Sequence, residues 1–520
     1  MEIAETADVG KAVASRSKIL GLDLVADISS VLRKQNEVIV LCHGVFDLLH
    51  PGHIAHLAEA KKQGTKLFVS ITPDRFVNKG PGRPLFGEFH RATMLSSLEV
   101  VDYVLVNDSP TSMNIIQLVK PHLYVKGPDY VDFSADSTGN ISLEEDAVNS
   151  VGGRMYFTDA PTMSSSNLIN LVNTESETPL AIWLSSFRLR HSENSVANSL
   201  HQVKSLKVLV VGEAIIDEYL RCEALGKSSK DPVLAFREIS LERQVGGSLA
   251  IAAHCAGLGA KVTALFYTGT NQEDEDLIRN SVPKSVSLEF IKSETMPTIT
   301  KRRYVDSLTE SRVFETYAMY DEPTPQDDEQ RLRERLQDLL LDTDLVVVAD
   351  YGHGLLSDIV IADLSKSEAL IAVNTQSNAG NRGYNTISRY PRVDFVCLNG
   401  NEMGLELRRR HTSLLELVPE LRNKTRAKRA IVTEGARGLI CCDEDGSLEQ
   451  IPAFAQTVKD RVGAGDALFA ATALLFATHT PVDVSGLFGN LAGAALVADL
   501  GNRTHLSSVD LMRHVSALLK

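Results

Sequence analysis

The feature that most constrains the fold is a short turn that follows an apolar run near the N-terminus. The run at residues 38–41 predicts a strand, Gly44-Val45-Phe46-Asp47 forms a turn, and His50-Pro51-Gly52-His53 begins a helix. A helix start offers backbone N–H groups and the positive end of the helix dipole, which favour an anion. Two imidazoles three residues apart point at one anion together. This order therefore predicts an α/β unit with a phosphate bound at the strand-to-helix turn.

A second phosphate motif lies far downstream, in Asp460-Arg461-Val462-Gly463-Ala464-Gly465-Asp466. Two glycines let the backbone turn tightly at a helix start, which makes a nest of N–H groups for a phosphoryl group. Asp466 follows at a position where it can take a proton from an acceptor hydroxyl. The two motifs together predict two phosphate-handling domains in one chain.

Length and composition agree with a two-domain enzyme of the cytoplasm. A chain of 520 residues is too long for one core, and its hydrophobic content of 43% is ordinary for a globular protein. We expect neither a membrane span nor a signal peptide, because apolar runs of the required length are missing from the sequence. Six cysteines without CxxC spacing favour a reducing compartment. The net charge of -14 argues against nucleic acid as a main partner.

Alternating apolar and helical stretches predict two α/β domains. The predicted segments are a helical leader at 1–36, a first domain at 37–172, a linker at 173–204 and a second domain at 205–520. Strands of the first domain are predicted at 38–41, 67–71, 103–106 and 123–125, with helices at 53–63 and 89–98. In the second domain, strands are predicted at 207–212, 345–349, 370–374, 395–398 and 430–433, extended segments at 218–225 and 233–242, and helices at 467–475 and 487–500.

Residues 38–172 resemble the cytidylyltransferase-like nucleotidyltransferases, through the histidine motif, Val125-Lys126-Gly127-Pro128-Asp129-Tyr130 and Ser164-Ser165-Ser166-Asn167. The resemblance implies a Rossmann-like domain in which a phosphomonoester attacks the α-phosphate of a nucleoside triphosphate and releases pyrophosphate. His50 and His53 would stabilise the transition state, and Mg²⁺ would offset the triphosphate charge. The implied nucleotide- and phosphate-binding residues are Gly44, Phe46, Asp47, Lys79, Arg91, Lys126, Ser164, Ser165 and Ser166.

Residues 205–520 resemble the ribokinase-like, or phosphofructokinase-B, sugar kinases. The resemblance implies an α/β/α sandwich with a small β lid at 218–242, which in this family often contacts a second copy, so we expect a homodimer. Asp466 would be the catalytic base, with ATP as the phosphoryl donor; no metal ligand is assigned. The implied nucleotide-site residues are Asn399, Glu402, Thr433, Gly435, Gly463, Ala464 and Gly465. The implied sugar-site residues are Asp217, Gly246, Gly247, Lys301 and Asp350.

The joined domains resemble the bifunctional heptose-7-phosphate kinase and heptose-1-phosphate adenylyltransferase family. Pro297-Thr298-Ile299-Thr300-Lys301 is among the most specific shared runs. The resemblance implies ATP-dependent phosphorylation of the C1 hydroxyl of a heptose 7-phosphate, followed by nucleotidyl transfer to the sugar 1-phosphate. The product would be a nucleoside-diphosphate sugar of the ADP-heptose type, a precursor of lipopolysaccharide or another surface glycan. A phosphatase would remove the 7-phosphate between the two steps.

The chain departs from this family in several places. The transferase precedes the kinase, which reverses the usual order. Ala250 replaces a sugar-binding Asn, His353 replaces a frequent Lys, Asn374-Thr375-Gln376 replaces Asp-Pro-Lys, and Val462 replaces a common Thr. Most of these positions face the sugar or the transferred phosphate in the family. We therefore expect phosphoryl transfer to persist, and the acceptor stays open between the usual heptose phosphate and a different one.

Two alternatives stay open at the level of the sequence. In the first, the kinase half only binds a sugar phosphate or supports dimerisation. In the second, the transferase half is a cytidylyltransferase for a polyol phosphate such as glycerol phosphate. The choice between ATP and CTP is also open, because the base is held largely by backbone groups.

Overall fold

The computed structural model describes residues 18–77, 83–128, 140–159, 178–381, 383–455, 458, 460–497 and 504–519. The chain divides into two compact units, one made of residues 1–177, 513–518 and 520, and the other of residues 178–512 and 519. Within the described ranges, none of the helices combines the length and apolar character needed to cross a bilayer.

The N-terminal unit contains a six-stranded sheet in the order β1-β4-β3-β2-β5-β6, and every pairing in it is parallel. Its strands are β1 Ile19–Leu20, β2 Ile39–Gly44, β3 Lys66–Ile71, β4 Tyr103–Val106, β5 Leu123–Lys126 and β6 Arg154–Phe157. Its helices are α1 Leu22–Lys34, α2 Pro51–Lys62, α3 Glu88–Ser96, α4 Met113–Val119 and α5 Asn140–Ser150. The four predicted strands and two predicted helices are confirmed, whereas the leader contributes an unexpected two-residue edge strand, β1, before α1.

Helices cover both faces of this sheet because successive side chains of each strand point to opposite faces. Val40 and Cys42 pack in one buried cluster with α2 and α3, through Leu57 and Leu95. Residues of opposite parity on β2, such as Leu41, pack in a second cluster with α1, α4 and α5. The layered α/β arrangement predicted from alternation is therefore confirmed.

The order of the strands creates a crevice beside β2. The chain runs from β2 to β3 and β4 on one side, and then returns to place β5 on the other side of β2. Ligands of open α/β sheets bind at such a reversal, outside the carboxyl ends of the strands. Because β2 ends at Gly44 and β5 ends at Lys126, the histidine turn and Lys126 meet at this crevice.

The C-terminal unit contains a nine-stranded sheet in the order β11-β10-β7-β14-β15-β16-β17-β18-β19 and a four-stranded sheet in the order β13-β12-β8-β9. The strands are β7 Lys207–Gly212, β8 Ala214–Lys227, β9 Leu234–Gly247, β10 Lys261–Thr268, β11 Ser287–Lys292, β12 Ile299–Asp306, β13 Arg312–Ala318, β14 Leu345–Asp350, β15 Leu370–Thr375, β16 Phe395–Asn399, β17 Arg429–Thr433, β18 Leu439–Cys442 and β19 Leu448–Ile451. The large sheet is parallel through β17, and β18 and β19 continue it in antiparallel pairs.

The helices of this unit and the last helix of the chain complete the fold. They are α6 Pro179–Arg190, α7 Glu193–Gln202, α8 Ser248–Gly257, α9 Gln272–Ser281, α10 Gln326–Leu340, α11 Asp358–Ser365, α12 Gly400–Leu407, α13 Leu414–Thr425, α14 Ala464–Ala477, α15 Val482–Val497 and α16 Ser508–Leu519. The four-stranded sheet is the predicted small lid, and its strands β8 and β9 are longer than the extended segments predicted for them.

The described part of the segment predicted as a linker, in which the sequence allows a short helix, forms the two helices α6 and α7. Trp183 and Phe187 on α6 are buried with their ring centroids 4.9 Å apart, and the Trp183 indole donates to Glu449 Oε1 at 2.7 Å. The ring of Trp183 also lies 5.9 Å from that of Phe454, so contacts with residues far along the chain hold this segment.

Candidate active sites

The histidine turn of the N-terminal unit presents two stacked imidazoles at the start of α2. His50 caps the helix: its Nδ1 accepts from the backbone N–H of His53 at 3.3 Å. The two ring centroids lie 3.8 Å apart, and the ring of Phe46 lies 5.2 Å from that of His53. Because Nδ1 of His50 accepts a hydrogen bond, the neutral ring carries its proton on Nε2. The predicted helix start is thus present, with imidazole donors beside its backbone N–H groups.

Asp47 connects this turn to the segment that precedes α3. It is 2% exposed, its Oδ1 accepts from the backbone N–H of Phe86 at 3.0 Å, and its Oδ2 lies 3.5 Å from Nη1 of Arg83. A side chain added at Gly44 would bring its Cβ within 3.1 Å of the Phe46 ring. These contacts explain why the turn needs a small residue and an acid. The predicted phosphate ligands Lys79, Ser164, Ser165 and Ser166 lie outside the described residues.

Arg91, predicted to bind phosphate, is surrounded by protein acceptors in the structure. Its side chain is fully buried, and its guanidinium donates to the carbonyl oxygens of Val45, Thr72 and Phe86 at 2.6, 2.8 and 2.9 Å. It also donates to Asp74 Oδ1 at 2.6 Å. Arginine is suited to satisfying several acceptors in fixed directions. Arg91 therefore holds together the loops that form the histidine turn, and direct phosphate contact by it stays a prediction.

Replacing Arg91 by Met should lower the free energy of unfolding of the N-terminal unit by about 3 kcal/mol, because three buried carbonyl groups lose their donor. The measurement is urea denaturation followed by far-ultraviolet circular dichroism. Trp183, the one tryptophan of the chain, lies in the other unit, so its fluorescence should report an unchanged transition. The control is Arg75→Met, an exposed arginine, for which we expect a change within about 0.5 kcal/mol. Equal midpoints for the two variants would contradict the bracing role.

Lys126 is held at the crevice by a network that the sequence did not reveal. Its Nζ lies 2.7 Å from Glu144 Oε2 on α5. The other oxygen of Glu144 accepts from Ser112 Oγ at 2.6 Å and from the Tyr124 hydroxyl at 3.1 Å. Glu144 is 5% exposed, so the pair is shielded from water. A buried carboxylate with three partners fixes the ammonium group at the carboxyl end of β5, where a phosphate would bind.

The C-terminal unit contains a cavity of about 1420 Å³ that gathers most of its predicted site residues. The predicted residues that line it are Asp217, Gly247, Lys301, Asn399, Thr433, Gly435, Gly463, Ala464, Gly465 and Asp466. Lining residues to which the sequence assigned no role include Arg303, Tyr351 and a basic group made of Arg408, Arg409, Arg410, His411 and Arg461. Gly246, Asp350 and Glu402 do not line it.

Asp466 lies in the first turn of α14, directly after the glycine nest. Gly463 caps this helix with φ of 81°, a left-handed conformation that favours glycine. One carboxylate oxygen of Asp466 accepts from the Tyr351 hydroxyl at 2.9 Å. Desolvation inside the cavity raises the pKa of Asp466 to about 6, while the Tyr351 hydrogen bond and the Lys301 charge act in the opposite direction. The carboxylate is thus charged at neutral pH and able to accept a proton.

Cationic and anionic side chains of the lid face the same cavity. Asp217 on β8 pairs in register with Lys301 on β12, and Arg303, two residues further, points to the same face of that strand. Arg303 Nη1 lies 2.5 Å from Asp217 Oδ1. Burial lowers the pKa of Lys301, so an anion close to its ammonium group would be stabilising. This end of the cavity suits an acceptor that carries hydroxyls and a negative charge.

Three predicted ligands act on the scaffold instead of facing the cavity. Asp350 is enclosed by the Tyr390 hydroxyl at 2.7 Å, Asn385 Nδ2 at 2.9 Å and the backbone N–H of Gly352 at 3.0 Å. Gly246 pairs with Ile215 inside the lid. Sugar contact by Asp350 and Gly246 therefore stays a prediction, since the structure gives these two residues protein partners. The carboxylate of Asp350 is hydrogen-bonded by protein groups, and Gly246 belongs to a strand pair. The residue type alone does not reveal these partners.

Glu402, the third predicted ligand that does not line the cavity, forms a capping box with Asn399 at the start of α12. Its Oε2 accepts from the backbone N–H of Asn399 at 2.8 Å, and its Oε1 from that of Ser377 at 3.2 Å. Burial raises the pKa of Glu402 to about 7. Asn399 reaches the cavity while Glu402 lies behind it. Among the described residues, no group of three or more His, Cys, Asp or Glu side chains is arranged to hold a metal ion.

The comparisons with known proteins agree with both units. The profile of the pfkB family carbohydrate kinases matches residues 205–508, and the cytidylyltransferase-like profile matches residues 41–171. Among curated proteins, the chain is 35% identical over 159 residues to the bifunctional protein HldE of Syntrophotalea carbinolica, which is 30% of this chain and 31% of that protein. It is 38% identical over 148 residues to the bifunctional protein HldE of Methylococcus capsulatus, which is 28% of this chain and 30% of that protein. The chain thus spans about a third of the length of the curated relatives it matches.

Solved structures of sugar kinases are also similar. Phosphofructokinase-2 from Escherichia coli in complex with potassium is 18% identical, with a TM-score of 0.49, over 61% of this chain and 100% of that chain. Ribokinase from Thermotoga maritima is 16% identical, with a TM-score of 0.48, over 60% of this chain and 99% of that chain. Because the kinase profile covers more than half of its residues, the chain belongs to the pfkB family of carbohydrate kinases, with a cytidylyltransferase-like domain before the kinase domain.

Proposed function

We propose that the chain is a bifunctional transferase that phosphorylates the C1 hydroxyl of a sugar phosphate to give a bisphosphate. After a separate phosphatase has removed the original phosphate, the transferase half joins a nucleotidyl group to the sugar 1-phosphate. The observation that carries the kinase activity is the cavity in which Asp466 and the Gly463 nest meet Asp217 and Lys301. The stacked imidazoles of His50 and His53 support the second activity.

In the kinase step, Asp466 takes the proton of the acceptor hydroxyl. At the same time, the oxygen of that hydroxyl forms a bond to the γ-phosphorus of ATP. The bond from that phosphorus to the bridging oxygen breaks, and ADP leaves. Backbone N–H groups of the Gly463 nest stabilise the charge on the phosphoryl group in transit. Lys301 and Arg303 attract the phosphate of the acceptor from the lid. Asp217 would accept a hydrogen bond from a sugar hydroxyl.

Mg²⁺ fits this cavity as an ion carried by the nucleotide. It prefers substrate phosphates and water to a cage of protein ligands. Asn399, at the cavity wall, and Glu402 behind it would hold its water shell. When bound, the metal offsets the triphosphate charge. ATP and Mg²⁺ are the expected requirements of both sites, with CTP as the alternative nucleotide at the transferase site.

In the transferase step, an oxygen of the sugar phosphate attacks the α-phosphorus and pyrophosphate leaves. His50 and His53 donate hydrogen bonds to the α-phosphate oxygens as their charge grows. Lys126, fixed by Glu144, offsets the charge of the phosphates from the end of β5. Gly44 and Phe46 shape the turn that allows this approach.

The resemblance to heptose-phosphate enzymes and the bifunctional relatives support a heptose 7-phosphate as the acceptor and an ADP-heptose-type product. Such a product serves lipopolysaccharide or surface-glycan assembly, and its synthesis belongs in the cytoplasm. A homodimer through the lid is supported by exposed apolar side chains on its strands, namely Leu225, Leu234, Ile239, Leu241 and Phe314.

The test is mass spectrometry of the products formed by purified protein with Mg²⁺, ATP, CTP and a panel of phosphate esters. The panel contains D-glycero-D-manno-heptose 7-phosphate, a heptose 1-phosphate and glycerol 3-phosphate. A heptose bisphosphate with ADP, and a nucleoside-diphosphate heptose with pyrophosphate, are expected. Nucleotidyl transfer to glycerol phosphate alone would replace the proposal by a polyol cytidylyltransferase. Heptose binding without ADP formation would indicate that the kinase half only binds a sugar phosphate and does not transfer a phosphoryl group.

A further inference from the structure

The hydroxyl of Tyr351 donates a hydrogen bond to the carboxylate of Asp466. Tyr351 follows β14, is 3% exposed and lines the cavity. Its hydroxyl donates to Asp466 Oδ1 at 2.9 Å across 115 positions of sequence. One carboxylate oxygen is therefore engaged before any substrate binds, and the second oxygen is left for the acceptor hydroxyl.

Both the backbone N–H and the backbone carbonyl of Tyr351 are hydrogen-bonded, which fixes the position from which its side chain extends. Its N–H donates to Glu213 Oε2 at 3.0 Å. Its carbonyl oxygen accepts from Asn378 Nδ2 at 2.8 Å and from Asn381 Nδ2 at 2.9 Å. Both asparagines lie in the stretch that directly follows Asn374-Thr375-Gln376. This stretch therefore holds the backbone of Tyr351 in place.

Titratable groups of four other elements lie around Asp466. Asp217 on β8 and Lys301 on β12 act on its carboxylate with opposite signs. Glu402 on α12 and Cys397 on β16 also lie within electrostatic reach. Tyr351, in contrast, donates a hydrogen bond to the carboxylate of Asp466 directly.

We propose that Tyr351 is a positioning residue for Asp466: its hydroxyl fixes one carboxylate oxygen so that the other faces the acceptor hydroxyl. This inference rests on the proposed kinase function. A donated hydrogen bond also favours the charged form of a carboxylate. Removal of the hydroxyl should therefore raise the pKa of Asp466 above its value of about 6 and move the acid limb of the rate profile to higher pH.

The experiment compares kcat for ADP formation from pH 5 to 9 in wild type and Tyr351→Phe, with ATP, Mg²⁺ and D-glycero-D-manno-heptose 7-phosphate. The wild-type acid limb should have its midpoint near pH 6. The variant midpoint should lie about one unit higher, a tenfold loss in the acid range that recovers towards pH 9. KM for ATP should not change. Tyr384→Phe, which alters a side chain that is 87% exposed, is the matched control and should keep the wild-type profile.

A second substitution protects the test against misfolding. Site-specific 3,5-difluorotyrosine at position 351 keeps the shape and strengthens the donor, so the acid limb should move to lower pH. Unchanged acid limbs in both variants of an active enzyme would overturn this inference alone. Failure of the wild type to form ADP with any sugar phosphate would overturn the proposed function and this inference together.

Discussion

Asp466→Asn should reduce kcat for sugar-dependent ADP formation by a factor of about 10²–10⁴, the range expected for loss of a general base. Asparagine keeps the size of the side chain and can still accept from the Tyr351 hydroxyl, so the cavity should keep its shape. It cannot take the proton of the acceptor hydroxyl. The loss should therefore appear in kcat, with KM for ATP close to that of the wild type. The measurement is steady-state release of ADP.

The control for this variant is Asp358→Asn at the start of α11, where the carboxylate is 90% exposed. Its rates should match those of the wild type. Pyrophosphate release by the other unit should also be unaffected by Asp466→Asn. Retention of more than a tenth of the wild-type kcat by Asp466→Asn would mean that another group accepts the proton.

His50→Asn and His53→Ala should each reduce nucleotidyl transfer by a factor of about 10²–10³, the range expected when a donor to a developing oxyanion is removed. Asparagine at position 50 can still cap α2, because its side-chain oxygen accepts from a backbone N–H as His50 Nδ1 does. It lacks the second ring nitrogen. This design separates the catalytic imidazole from the helix cap, and release of pyrophosphate is the measurement.

His90→Asn is the matched control, because His90 is exposed on α3. We expect wild-type pyrophosphate release from it. ADP formation should be the same in all three histidine variants, which would show that each unit has its own chemistry. Full transferase activity in His53→Ala would assign phosphate stabilisation to other groups of the crevice, such as Lys126.

The sequence was a good guide to the elements and to the two motifs that begin helices. β4 and β7 have the predicted bounds, and Gly463 caps a helix that carries Asp466 as expected. Periodicity and turn chemistry are local properties, so they can be read without knowledge of the fold. The short edge strand β1 has two residues, too few to produce a pattern, and was missed for that reason.

Side-chain roles were less predictable, because the same residue type serves binding and bracing. Arg91 and Asp350 have the chemistry of ligands, yet their groups are satisfied by protein partners. Nothing in the sequence around Arg91 indicates that three carbonyl groups converge on it. A buried polar group must find partners, and the fold decides whether these are protein or substrate.

By itself, the sequence determined the strand and helix pattern, the two phosphate-binding turns and the family of each half. The tertiary structure decided which side chains meet: Glu144 with Lys126, Arg303 with Asp217, and Tyr351 with Asp466. The physical reason is distance along the chain. Backbone propensity and hydrophobic period act over a few residues, whereas hydrogen bonds and charges at a site join residues from 18 to 115 positions apart, which only the packed fold brings together.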